Sequence, residues 1–305
     1  MSSDCIIRNY RPDDFEILVQ LKNESISLAA DGRYLSPQAV RDILERPNYI
    51  PEQDLFIAEI SGTVVGYLDI TNEARIGRAV LECLVLPEHR QQGIARRLYY
   101  QAVPRMKALG AQVAHVNMCE DNTLARLVLE KMGFTSVRRF NEFSVNLDII
   151  SESKMSTIFP IRPLQAGEET TLAKLQNLTY AGSWGYNPNT AEDIGYAIST
   201  AGNAPEGVCL ALDKDRPAGY FWMRIEHDEQ GKRRGRVSML GVDPDYRGRG
   251  IGRELLLAGL SYLKSKKLSV AQLTVDSENL VAESLYRSIG FKKIDSSLWY
   301  EKLLD

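Results

Sequence analysis

The strongest constraint on the fold is a repetition. Residues 85–97 read VLPEHRQQGIARR and residues 242–254 read VDPDYRGRGIGRE, so that Pro87 answers to Pro244, Arg90 to Arg247, Gly93 to Gly250 and Ala95 to Gly252. The interval still holds further on, where Asn122, Ala125, Gly133 and Phe134 answer to Asn279, Ala282, Gly290 and Phe291. A repeat spanning about half of 305 residues is far longer than the ~20–50 residues of a solenoid unit, which leaves a duplicated domain. Upstream, IRNYRPDD at Ile7 and IRPLQAGE at Ile161 read as the two domain starts, and SGTVVGYLDI answers to KDRPAGYFWMRI at a slightly shorter interval. The expected boundary lies in the polar run ISESKMST, giving domains 1–150 and 157–305. That agrees with a length of roughly two ordinary domains.

Within each half the order of patterns is the same. In the second half EGVCLALD and AGYFWMRIEH read as a hairpin, RGRVSMLGVDP as a strand, GRELLLAGLSYLKSKK as an amphipathic helix, SVAQLTVDSEN as a strand, LVAESLYRSIG as a helix and SSLWYEKLL as a last strand. This predicts an α/β fold. No segment approaches the ~18 uninterrupted apolar residues of a membrane span, and MSSDCIIRNYRPDD lacks the basic and apolar regions of a signal peptide, so a cytoplasmic protein without membrane contact is expected. Four cysteines without a CxxC pair and three scattered histidines predict reduced thiols and no metal. A net charge of −3 removes the global electrostatic argument for nucleic acid.

The stretch DYRGRGIG, between a strand and a helix, suits an anion. The first N–H groups of a helix lack intrahelical partners and sit at the positive end of its dipole, and glycines let that backbone come close. A P-loop would need Gly-Lys-Ser/Thr, but Gly252 is followed by Arg253 and Glu254. The dinucleotide fingerprint would need a third glycine where Arg253 stands. What remains is Arg-x-x-Gly-x-Gly, whose consecutive amides can wrap a pyrophosphate. A purely steric glycine turn is the plainer alternative.

Taken together, Val-x-Pro-x-x-Arg-x-x-Gly-x-Gly/Ala followed by Asn-x-x-Ala-x-x-x-Tyr-x-x-x-Gly-Phe resembles the GNAT N-acetyltransferase superfamily, and the whole chain resembles a tandem of two such domains. MLGVDPDYRGRGIG and the closing LWY are also similar to the mycothiol synthase branch, where a glutamate at the start of the strand before the loop serves as base; that position here is Arg236. The resemblance implies, for each half, a mixed, mostly antiparallel sheet flanked by helices. It also implies acetyl-CoA as cofactor. The pyrophosphate would rest on Arg247, Gly248, Arg249, Gly250, Ile251 and Gly252. The backbone near Leu240 and Val242 would pair with the pantetheine arm, and an N–H there would face the oxyanion. Asn279 would contact the arm, or cap the helix it precedes, or both. In the first half Val85, Arg90, Gln91, Gln92, Gly93, Ile94, Ala95 and Asn122 take the matching places.

Tyr286 occupies the family's place for the acid that protonates the departing thiolate, and a phenol with a pKa of about 10 is a credible donor to a thiolate whose conjugate pKa is about 8.5. Its counterpart is Leu129, so the first half is expected to be catalytically degenerate. The base is open: Glu226 and Asp228 are candidates or surface charges, and Glu82 is a base, a substrate ligand or an edge charge. YAGSWGYNP and Trp222 offer either an acceptor wall or core. The reading is a transferase acting on a small-molecule or peptide amine. The alternative is a non-catalytic acyl-CoA-binding or regulatory protein.

Overall fold

The computed structural model describes residues 5–24, 34–150, 158–228 and 230–304. The expected linker residues 151–157 lie outside the described residues. The chain forms two compact units: a first unit of residues up to Phe140 together with those from Ser296 onward, and a second unit of Asn141–Asp295.

The first unit runs β1 (Cys5–Asn9), α1 (Phe15–Glu24), α2 (Pro37–Leu44), α3 (Pro51–Asp54), β2 (Leu55–Ile60), β3 (Thr63–Glu73), β4 (Arg78–Val85), α4 (Ile94–Ala108), β5 (Val113–Cys119), α5 (Thr123–Lys131) and the start of β6 (Thr135–Asn146). The second begins on the remainder of β6 and continues with β7 (Ile161–Pro163), α6 (Glu169–Thr179), α7 (Ala191–Ser199), β8 (Val208–Asp213), β9 (Arg216–His227), β10 (Arg233–Val242), α8 (Ile251–Ser265), β11 (Val270–Asp276), α9 (Leu280–Ile289) and the start of β12 (Lys292–Leu303). Within the first unit the strands are ordered β1-β2-β3-β4-β5-β12, and within the second β7-β8-β9-β10-β11-β6. β4 runs parallel to β5 and β10 to β11, while β1 with β2, β2 with β3, β3 with β4, β5 with β12, β7 with β8, β8 with β9 and β9 with β10 are antiparallel. Each unit is thus the mixed, mostly antiparallel sheet with helices that the motifs implied.

One feature departs from the repeat. The end of the chain completes the first sheet, Ser297–Leu303 pairing with Cys119–Val113. The second core takes Phe143, Val145, Leu147 and Ile150 from the first half of the sequence. Burial sets this partition: Phe143 and Leu147 are fully enclosed, and a side chain of that size removed from water contributes about 1.5–3 kcal/mol. The units therefore divide at Phe140/Asn141 and Asp295/Ser296 rather than near residue 150.

α4 and α8 cover one face of their sheets with Leu98, Tyr99, Ala102 and Met106, and with Leu255, Leu256, Leu260 and Leu263. The repeated Gly-Tyr of the hairpins has a steric cause. A Cβ at Gly66 would lie 2.5 Å from the Leu84 carbonyl, and one at Gly219 would lie 2.8 Å from that of Gly241. Only glycine lets the hairpin strand and the pre-loop strand approach so closely.

Candidate functional site

In both units the parallel ladder is short and the two strands then part. β10 and β11 pair only at Gly235–Arg236 with Ala271–Gln272, whereas β4 and β5 pair from Arg78 to Leu81. β10 also carries a register shift against β9 between Val237 and Met239, which has no equivalent between β4 and β3. A bulge adds local twist and re-aims the residues after it. The next residues are Leu240 and Val242, those expected to offer their backbone to the cofactor arm.

Leu240 pairs with Phe221 on one side. On the other, the Tyr180 hydroxyl donates to its carbonyl at 3.0 Å and receives its N–H at 3.5 Å. Tyr180 stacks on Tyr186 with centroids 5.2 Å apart, and faces the Tyr220 hydroxyl. Burial drives all of these phenols upward, Tyr186 to about 12. Burial also lifts Tyr286 well above an ordinary tyrosine, with Tyr180 adding to the effect. Tyr286 packs with the α8-side core while Tyr180 packs with the cluster on the α6 side, so the two phenols approach one another from opposite faces of the sheet, at the fork.

The glycine loops share one backbone form. Gly248 and Gly250 have φ of 76° and 85°, and their counterparts Gln91 and Gly93 have φ of 61° and 77°. A left-handed conformation twice in three residues turns successive N–H groups to one side, the arrangement of an anion nest. A Cβ at Gly250 would meet nothing within 4 Å, and one at Gly252 would meet Val242 at 3.6 Å, an ordinary contact that explains why Ala95 fits the matching place. The loop therefore fits a diphosphate through its amides. Its arginines serve as braces. Arg247 donates from Nε to the Val242 carbonyl and from its terminal nitrogen to that of Thr179, and Arg90 donates from Nε to Val85. Arg249 donates to the Asp245 carbonyl and lies over the Tyr246 ring. Gln92 is exposed, and Ile94 and Ile251 anchor the helix starts in their cores. Asn122 and Asn279 cap α5 and α9 through Ala125 and Ala282.

Other expected residues lie elsewhere. Glu226 is buried on β9 beside Arg234 at 3.7 Å. It is five residues past Phe221, roughly 16 Å at ~3.3 Å per residue, and so is not brought to Leu240. Asp228 accepts from the Gln230 and Lys232 amides and shapes its hairpin. Trp222 is core, its indole donating to Asn203. Glu82 accepts from Tyr67 and, at 3.0 Å, from the buried Lys22, which also reaches Asp69 at 3.1 Å.

Sequence reasoning missed Tyr180 as a partner of Leu240. It also missed a cluster at the fork. Glu142 of β6 pairs with Arg236, and Thr274 of β11 donates to the same carboxylate at 2.6 Å. Glu142 lies before the expected boundary near residue 150, so no spacing within the second half points to it. Among the described residues no group of three or more His, Cys, Asp or Glu could hold a metal, and no helix is long and apolar enough to cross a membrane.

The tandem of two such units is matched by known proteins. The acetyltransferase (GNAT) family model fits residues 24–134 and 171–291. The chain belongs to that family and is an acyltransferase. It is 30% identical over 265 residues to a mycothiol acetyltransferase of Stackebrandtia nassauensis, covering 83% of this chain and 84% of that one. With the mycothiol acetyltransferase of Streptomyces coelicolor the identity is 26%, covering 98% and 99%. In fold it is similar to a GCN5-related N-acetyltransferase from Sphaerobacter thermophilus, with a TM-score of 0.73, 21% identity and coverage of 98% and 96%. It is likewise similar to a tandem GNAT protein from the clavulanic acid biosynthesis pathway, with a TM-score of 0.71, 15% identity and 99% coverage of both chains.

Proposed function

We propose that the second unit transfers an acetyl group from acetyl-CoA to a primary amine of a small molecule or peptide by direct attack, and that the first unit keeps a cofactor loop without turning over. The observation that carries this reading is the bulge at Val237–Met239 where β10 leaves β11, because it turns the Leu240 backbone toward the gap that Tyr286 and Tyr180 approach.

The thioester supplies an activated acetyl group when bound. The nest at Gly248–Gly252 would hold the diphosphate, and β10 at Leu240 and Val242 would hold the arm. The Leu240 N–H, donating only a 3.5 Å bond to Tyr180, can be released to an oxyanion. Tyr286 keeps its proton at neutral pH because burial raises it, and so stands ready to protonate the leaving sulfur. The same burial raises the proton affinity of a thiolate beside it, so the transfer does not depend on the phenol's value in water.

The test is a screen of amines, amino acids and N-terminal peptides for CoA release, with the acetylated product identified by mass. Amine-dependent release that Tyr286→Phe suppresses is expected. Tight acetyl-CoA binding with no release for any amine would favour a binding protein instead, the reading that Leu129 already favours for the first unit.

A further inference from the structure

The second unit has a fork, a candidate acid and a candidate oxyanion donor, but the strand position that a base would occupy holds Arg236. That arginine is not idle. Its guanidinium is paired to the carboxylate of Glu142, a residue contributed by β6, and it also touches the Thr274 hydroxyl. Thr274 donates to Glu142 at 2.6 Å. Glu142 is buried, at 7% exposure, while Thr274 in front of it is exposed.

The sheet pattern fixes where this hydroxyl stands. Leu273 and Val275 point into the α8-side core, so Thr274 between them lies on the opposite face, the one on which Tyr220 and Trp222 pack. It is two residues past Gln272, the last residue of β11 paired with β10, and so lies where the strands have already parted. The first unit has no such relay. There the corresponding places hold Ala79, Asn117 and Trp299, with Trp299 opposite Asn117 and under the Arg78 guanidinium.

We propose that Thr274 and Glu142 form the proton exit of the second unit, Thr274 touching the acceptor nitrogen and Glu142 acting through it as a positioning residue. The bound acceptor's ammonium gives one proton to Thr274 Oγ as the hydroxyl proton passes to Glu142 Oε2; the freed amine nitrogen then bonds to the acetyl carbon, the carbon–sulfur bond breaks, and the nitrogen's last surplus proton leaves to solvent. Tyr286 gives its own proton to the sulfur, and both groups are reset by exchange with solvent. Arg236 fixes the carboxylate by donating to Oε1 and, at 3.3 Å, to Oε2, the oxygen on which the Thr274 hydroxyl rests. The base absent from β10 is thus supplied by a strand of the other sequence half. This inference rests on the amine-transfer reading above.

The experiment uses two probe amines of similar size in single-turnover reactions with acetyl-CoA: ethylamine, protonated at neutral pH, and trifluoroethylamine, whose fluorines leave it unprotonated. Glu142→Gln and Thr274→Val should slow transfer to ethylamine by about 10²-fold or more, the usual contribution of a positioned proton acceptor, and raise the pH needed for half-maximal rate. Transfer to trifluoroethylamine should change little, Thr274→Ser should restore the ethylamine rate, and calorimetric acetyl-CoA affinity and thermal midpoint should stay near wild type in Thr274→Val. Equal losses with both amines, or full ethylamine rate in Glu142→Gln, would overturn the relay while leaving the amine-transfer reading intact. A wild-type protein inert toward both amines would overturn that reading and the relay with it.

Discussion

At matching places the two units set opposite chemistry. In the first, β3 and β4 put Asp69 opposite Glu82, and α1 sends Lys22 between them; in the second, β9 and β10 put Trp222 opposite Met239, and α6 supplies Gln176. Lys22 is fully buried and bonded to both carboxylates, and Arg46 and Tyr49 close on Asp69 at 3.1 and 3.0 Å. The space beside the first fork is thus filled by an internal ammonium with its counter-ions. At the matching places of the second unit the groups are neutral, with the Tyr180 hydroxyl against the Leu240 backbone; the ion pair at that fork, Arg236 with Glu142, stands instead on β10 and β6. The difference teaches that a duplicated frame, down to the left-handed residues of its loop, can keep one loop geometry in both copies while only one copy sets ion pairs at the Asp69–Glu82 place.

The comparison breaks most directly at the acid. Tyr286→Phe should lower kcat by about 10²–10⁴-fold, the range of general-acid catalysis, with little change in acetyl-CoA affinity. Leu129→Phe, the matching change in the first unit, should leave turnover unaltered. Single-turnover transfer on both variants reads the effect, and full rate in Tyr286→Phe would remove the division of labour between the units.

Stability offers the next contrast. Burial alone would raise the Asp69 carboxyl, yet Lys22 and Arg46 hold it at about 2. Lys22→Met strands that charge in the core, which costs about 3–5 kcal/mol. Gln176→Met in the second unit leaves only a buried amide partner unmatched, about 1–3 kcal/mol. Native-state hydrogen exchange, read separately over the two units, should show loss of protection in the first for Lys22→Met and a smaller loss in the second for Gln176→Met. Equal losses would mean that the ion cluster is no more structural than its neutral counterpart.

The loops should differ less. Gly250→Val places a β-branched residue at φ 85° with no neighbour in its way, so the cost is conformational, on the order of 1–3 kcal/mol, and it disturbs the nest rather than the core. Acetyl-CoA affinity of the second unit should fall sharply in calorimetry while the thermal midpoint moves little. Ala95→Val in the first unit should remove one binding event if both loops are filled, and should spare turnover.

Much of this was legible in the residues because it is local. The two glycine loops, the asparagine cap at Asn279, and the strand–helix order follow from short-range backbone preferences that leave marks in sequence. The fork cluster was not legible. Arg236, Thr274 and Glu142 lie on three strands, and no spacing rule joins residue 142 to residue 236 once a boundary is drawn between them. Arg247 stands between the two cases: its place in the loop is legible, but its Nε bond to the Val242 carbonyl is not.

The smallest contrast is one of pH. His115 on β5 is buried at 4% exposure, and burial, with Arg78 nearby, pushes it from the ordinary 6.5 down to about 4. Its counterpart in the second unit is Gln272, which does not titrate. Since the folded-state value lies below the unfolded one, the unfolded chain binds the proton more tightly, so stability is full above about pH 6.5 and is lost as pH falls toward 4. The gap is worth at most ~3 kcal/mol, and the Glu301 carboxylate 3.1 Å from Nε2 offsets part of it by favouring the imidazolium. Hydrogen exchange between pH 7 and 4, corrected for intrinsic rates, should therefore show the first unit losing protection before the second. His115→Gln should flatten that dependence. If the first unit's protection fell equally steeply in the variant, the acid response would belong to its carboxylates and not to this imidazole.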